Sequence, residues 1–274
     1  MLLGEETRQD DLIVRLLAEN PGLTLEALHK SVKENGCRRS IKALYKELAR
    51  LRRTGVVLRH DRKYSLQLSW VFEIYGFACD LTQTYLRGNY FNTLLPEPGA
   101  RIEWKFRNLS SLDVFWTQLV ISLVKNSKES EIFEWLPHPW FILQSGAPEI
   151  RLQKAIQRLS RKACILIGSD HYLDRLAEKV FDPKVYDYHF ATDFVPEQKS
   201  TYLDVVDDWV LTVKLPAALE KALDELYQKV GSSRELKIAD VVRVLQQPAN
   251  IRVVLENNAY RATRLKRQFK LYLS

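Results

Sequence analysis

The stretch from Ser40 to Lys63 constrains this chain more than any other. It reads SIKALYKELARLRRTGVVLRHDRK, and Tyr64-Ser65-Leu66 follows. Wound at about 100° per residue, its first part puts Ile41, Leu44, Tyr45, Leu48 and Leu51 on one face. Lys42, Lys46, Arg50 and Arg53 fall on the opposite face, with Arg39 just ahead in the same stripe. Such a helix buries one side and offers cations on the other. Thr54-Gly55 ends it, since glycine takes the positive φ that a helix C-terminus often needs. Val56-Val57-Leu58 then reads as a strand, Arg59-His60-Asp61-Arg62-Lys63 as a charged turn, and Tyr64-Ser65-Leu66 as the returning strand.

Charge makes this stretch distinct from the rest. Between Cys37 and Lys63 ten lysines and arginines meet only Glu47 and Asp61, a local +8 in a chain whose total is +7. The basicity is therefore local. It points to an anion-binding surface, with a solvated charged helix as the plain alternative.

Two helices precede it. Leu12, Ile13, Leu16 and Leu17 form the stripe of the first, over 9–19, and Asn20-Pro21-Gly22 stops it. Thr24 is the N-cap expected for the second, which buries Leu25, Leu28 and Val32 and ends at Asn35-Gly36. A short turn leads to Ser40, another expected N-cap.

Three helices followed by a basic β-hairpin, carried by LTLEALHKSVKENGCRRSIKALYKELARLRRTGVVLRHDRKYSL, resemble the winged helix-turn-helix domain of bacterial and archaeal transcription regulators. The resemblance implies a recognition helix at about 40–54 in the major groove of double-stranded DNA and a wing at about 56–66 on the backbone. The DNA-binding residues it implies are Arg38, Arg39, Ser40, Lys42, Lys46, Arg50, Arg53, Arg59, Arg62 and Lys63. It also implies a homodimer on a two-fold operator. An RNA-binding or protein-interaction module of a larger assembly is the alternative function.

Beyond this domain the pattern changes. Trp70 to about Leu86 reads as an aromatic-rich helix, either a core helix or one that packs on the first domain or a second copy. Gly88-Asn89-Tyr90-Phe91-Asn92 and Pro96-Glu97-Pro98-Gly99 are turn-rich and mark a boundary. From residue 100 strands and helices alternate. Expected strands include 101–106, a proline-interrupted 132–143, the apolar run 163–168, 184–190, a hairpin over 201–215 and 250–255. Helices are expected at 113–124, 149–161, 171–181, from Pro216, at 238–246 and at 258–273. The fold class expected is α+β overall, an N-terminal winged helix-turn-helix (1–69), a linker helix and loop (70–99) and a C-terminal α/β domain (100–274). That last part weakly resembles the sensor or dimerisation half of TrmB-like regulators, which implies a small-molecule effector.

Few residues fall in the pattern of a known catalytic or metal site. A phospholipase D-like site needs HxK, and none of the five histidines has lysine two residues on. The three cysteines are scattered among those histidines without zinc spacing, and no phosphate-binding glycine loop occurs. Neither a cofactor nor a metal is expected, and no enzymatic activity. Ser169-Asp170-His171, where a strand end meets a helix start, is a candidate small-molecule site or a set of caps. Asp204, Asp207 and Asp208 gather at a hairpin, where turn chemistry explains aspartate. Arg261, Arg264, Lys266, Arg267 and Lys270 on the last helix offer a second nucleic-acid contact or complement the helix dipole. Trp104, Trp116, Trp135 and Trp140 are assigned to the core, one or two of them to a pocket wall. An acidic N-terminus without signal-peptide character, no long uncharged apolar run and no disulfide framework point to a cytoplasmic protein off the membrane.

Overall fold

The computed structural model describes residues 9–81, 84–85, 93, 95–144, 147–194, 196–197 and 201–273. The chain divides into two compact units, Met1–Gly88 and Asn89–Ser274. The expected turn at Gly88–Asn92 lies outside the described residues.

In the first unit, α1 (Gln9–Glu19), α2 (Leu25–Glu34) and α3 (Ile41–Arg53) surround one core. Ile13, Leu17, Leu28, Val32, Leu44 and Leu48 are almost fully buried there, with Tyr64. Burying each leucine contributes about 1.5–3 kcal/mol. Both expected caps form: Thr24 Oγ1 accepts from Ala27 N and Ser40 Oγ from Ala43 N. β1 (Leu23–Thr24), β2 (Val57–His60) and β3 (Lys63–Leu66) make an antiparallel sheet in the order β1-β3-β2. Asp61 and Arg62 both take positive φ, 46° and 62°. Two such residues match the right-handed twist of a tight hairpin.

The apolar face of α3 is narrower than its sequence suggests. Ile41 is 42% and Tyr45 48% exposed. Tyr45 stands about 100° round the helix from Leu44, at the rim of the buried stripe. α4 (Leu68–Leu81) departs further from expectation, since it has no buried residue at all. Phe72, Tyr75 and Phe77 are mostly exposed, so the reading of this stretch as a core helix is corrected. Its expected end at Leu86 lies outside the described residues.

The second unit is built on a seven-stranded mixed sheet of order β4-β10-β9-β8-β5-β6-β7. Its strands are β4 (Arg101–Phe106), β5 (Glu131–Leu136), β6 (Lys162–Ile167), β7 (Tyr186–Phe190), β8 (Thr201–Val206), β9 (Trp209–Lys214) and β10 (Ile251–Asn257). β5, β6 and β7 run parallel, and the other pairings are antiparallel. The helices are α5 (Leu109–Asn126), α6 (Ala147–Arg158), α7 (Tyr172–Val180), α8 (Ala217–Lys229), α9 (Ile238–Gln246) and α10 (Ala259–Lys270). The molecule is thus of mixed α and β class with a large mixed sheet. β5 stops at Leu136, before Pro137, and a short 3-10 turn Trp140–Leu143 follows, so the strand expected over 132–143 is half that length. Proline has no N–H for a ladder.

Alternation along β8 divides the core. Leu203 and Val205 face α10, in a cluster with Phe133, Leu265 and Phe269. Asp204, of opposite parity, instead meets Trp116 of α5. Among the described residues no helix is long and apolar enough to cross a membrane.

Candidate functional site

The cations of the basic stretch lie mostly at the surface. Arg38, Arg39, Lys42, Lys46, Arg52, Arg53, Arg59, Arg62 and Lys63 are all exposed. Lys46, Arg52, Arg53 and Arg59 line a single open groove between α3 and β2, with Gly55, Leu58 and Gln67 as its floor and rim. Among the described residues no carboxylate lines that groove. Arg59 lies over the Tyr64 ring, 5.7 Å from its centroid, which fixes the start of the hairpin against the core.

Two of the expected contact residues are used within the fold. Arg50 binds Glu47 at 2.7 Å and Asp10 at 2.5 Å. Its hydrogen bond to Glu47, then the charges of both carboxylates, hold its guanidinium more firmly protonated than usual. The Ser40 hydroxyl is the cap of α3. Conversely, Arg52 belongs to the groove but was not among the residues singled out from the helical stripe. Its side of α3 becomes useful only because β2 folds back beside it.

The second unit holds a buried polar cluster at the carboxyl ends of β5 and β6. His138 is 5% exposed. Its Nδ1 lies 3.1 Å from Asp174 Oδ1 and 2.8 Å from Ser169 Oγ, and its Nε2 lies 3.0 Å from Asp224 Oδ1. Ser169 Oγ is also 2.7 Å from the Pro137 carbonyl and 2.8 Å from Asp174 Oδ2. The Tyr227 ring packs 4.2 Å from the imidazole. The parallel strands bring Pro137-His138 and Ser169 together, and α7 and α8 add the two aspartates.

This geometry decides how Ser169, Asp170 and His171 are used. Asp174 accepts the His171 backbone N–H and so caps α7 from within. Asp170 pairs with Arg175 at 2.6 Å. The start of α7 is therefore occupied by carboxylates, which oppose an anion there. Ser169 alone joins the histidine cluster. His138 was not singled out in the sequence, because its partners lie 36 and 86 residues away.

The three hairpin aspartates separate. Asp207, at φ 49°, accepts from Ser127 Oγ and from the backbone N–H of Lys128 and Glu129. Burial works to raise its pKa, but those hydrogen bonds win and hold it below the usual value. Asp204 is not a turn residue. It is 1% exposed inside β8, and burial pushes its carboxyl up to about 8. On the last helix Arg261 and Arg264 pair with Glu197, Lys266 with Glu129 and Lys270 with Glu131.

No family model matches the chain, and no curated protein matches it. Among solved structures it is similar to NucT from Helicobacter pylori, with 8% identity and a TM-score of 0.36 over 64% of this chain and 96% of that one. It is similar also to Nuc from Salmonella typhimurium, a phospholipase D family member, with 10% identity and a TM-score of 0.37 over 64% and 95%. At this distance the likeness transfers neither a site nor an activity. It does correct the expectations drawn from the basic stretch. One of these two structures is of a phospholipase D family member, and neither is named as a winged-helix or TrmB-like regulator. The family, the transcriptional function with its alternative, and the expected lack of enzymatic activity are withdrawn. A basic amphipathic helix and a hairpin specify a local unit, which many functions share.

Proposed function

We propose that this chain binds the phosphodiester backbone of nucleic acid through the cationic surface of its first unit. The observation that carries the reading is the groove lined by Lys46, Arg52, Arg53 and Arg59 without a carboxylate. Arg38, Arg39, Lys42, Arg62 and Lys63 extend the field around it. Lysine and arginine neutralise phosphates and release condensed counterions, which gives affinity without reading sequence. On this reading the binding domain spans 1–69 within the first unit, a linker helix and loop span 70–99, and the α/β domain spans 100–274. Fluorescence anisotropy with labelled duplex and single strands across a salt series tests this. Four groove contacts predict a log–log salt slope of about −3 to −4, shallower on single strands. Absent or salt-independent binding would overturn the proposal.

A second reading rests on His138. Carboxylates at both ring nitrogens hold the imidazole in a fixed orientation. In a phosphodiester hydrolysis it would give its Nε2 proton to the leaving alcohol as the P–O bond breaks. Asp224, whose side chain is 47% exposed, would take the proton of the attacking water. Loss of nucleic-acid cleavage in His138→Ala, with binding retained, supports this. No cleavage by the parent, or equal cleavage by the variant, excludes it.

A further inference from the structure

The helix α4 is not accounted for by the packing of its own unit. It is 14 residues long and buries none of them. A helix of about 12–15 residues is marginal in water on propensity alone, and most helical stability comes from packing an apolar face. Gly76, near its middle, weakens it further. The helix therefore needs a surface to pack on.

Its exposed residues form a seam. Leu68, Phe72, Tyr75 and Cys79 recur at spacings of four, three and four, the period of a coiled coil. Leu68 is 71%, Phe72 70% and Tyr75 67% exposed, and Cys79 is exposed as well. The side chains of Tyr75 and Cys79 hydrogen-bond each other, one turn apart on the same face. Val71 widens the strip. Glu73 and Asp80, the charged residues of α4, fall more than about 100° round the helix from the seam. The seam itself thus brings no like charges together. Phe77 and Leu81 lie outside it, on the side of the half-buried Trp70 and Ile74.

We propose that α4 is a dimer interface, in which the seams of two copies of this chain pack against each other. A seam of this period fits another helix. Among the described residues no other helix exposes more than two large apolar side chains, whereas α4 exposes six. The matching helix that this chain offers is therefore a second α4, and two-fold pairing makes the contact self-complementary. The area suffices. A whole aromatic side chain buries about 150–250 Å², so Phe72 and Tyr75 of two copies contribute about 400–700 Å². Leu68, Val71 and Cys79 bring the total to about 1,000 Å², the lower bound for a specific interface.

Light scattering of the full chain after size exclusion, from about 1 to 100 μM, tests this, since an interface at the lower bound gives micromolar association. Twice the chain mass is expected at the upper concentration. Phe72→Glu puts a carboxylate into the seam and is expected to leave a monomer throughout. Ile238→Glu, at an exposed position of α9, is expected to keep the dimer. Tyr75→Glu serves the same purpose should Phe72→Glu not fold. Maleimide labelling of Cys79, read by peptide mass, places the contact. It is expected to be several-fold slower in the parent dimer than in the monomeric variant. A monomeric parent, a folded seam variant that stays dimeric, or equal labelling of Cys79 in the two would each overturn the proposal. A monomeric parent that sediments with phosphatidylcholine vesicles would assign the face to lipid instead. The readouts use no nucleic acid, so they stand apart from the function proposed for the first unit.

Discussion

Replacing Asp204 with asparagine is predicted to stabilise the second unit at neutral pH and to leave it unchanged in acid. Native Asp204 keeps its proton up to about pH 8. The unfolded chain releases the same proton near pH 4, roughly the reference value for aspartate. Between those values the native state binds one more proton than the unfolded state. Stability therefore falls as pH rises, by about 1.4 kcal/mol per unit. By pH 7 this one group costs about 4 kcal/mol relative to pH 4. Asparagine has the same shape and no proton to lose, and its oxygen can still accept from Trp116. The variant is then about 4 kcal/mol more stable than the parent at pH 7 and equal at pH 4. A further decline remains in both proteins from Asp113, whose carboxyl sits at about 7, and from Glu134 and Glu149, which burial also holds well above their usual values, so the variant is read from the difference between the two slopes. Urea denaturation at pH 4, 5.5, 7 and 8 measures this directly. Five of the six tryptophans lie in the second unit, so indole fluorescence follows that unit. Equal pH slopes for parent and variant, or a less stable variant at pH 7, would refute the reasoning.

Other perturbations test the packing. Gly168→Ala places a Cβ 2.5 Å from Trp135 Cη2 and 3.3 Å from Pro137 Cα, and overpacking of this kind lowers stability by about 1–3 kcal/mol in the same urea assay. Leu48→Ala leaves a cavity under α3 and costs the first unit about 2–5 kcal/mol, read as a lower melting temperature in circular dichroism. Asn258→Ala removes the acceptor for Arg261 N at the start of α10 and lowers stability by about 1 kcal/mol.

Local features were legible in the sequence because local rules produce them. Leu44, Leu48 and Leu51 recur at helical spacing and all reach the core. Ser40 and Thr24 cap helices through hydrogen bonds to a backbone N–H three residues on, and Asp207 takes the positive φ of a turn. What was not legible depends on distant partners. Asp204 reads as a turn residue next to Asp207, yet strand pairing with Glu134 carries it into the core. His138 meets Asp174 and Asp224 only after three elements dock. Arg50 sits in the cationic stripe, but Asp10, forty residues earlier, claims it. A sequence stripe gives the direction of a side chain, and tertiary packing decides whether it stays free. The same limit undid the family assignment, since helices and a hairpin of this kind are a local pattern.

The central claim is that the groove cations bind phosphates. The most direct test is the salt dependence of nucleic-acid affinity in the parent, in a Lys46/Arg53/Arg59 triple alanine variant and in Arg50→Ala. The account predicts that the triple variant binds orders of magnitude more weakly and flattens the log–log slope by about 2–3 on duplex DNA. Arg50→Ala, which removes a guanidinium held by Glu47 and Asp10, keeps most of the parent's slope. Equal slopes for parent and triple variant, or a larger effect from Arg50→Ala than from the triple change, would contradict it.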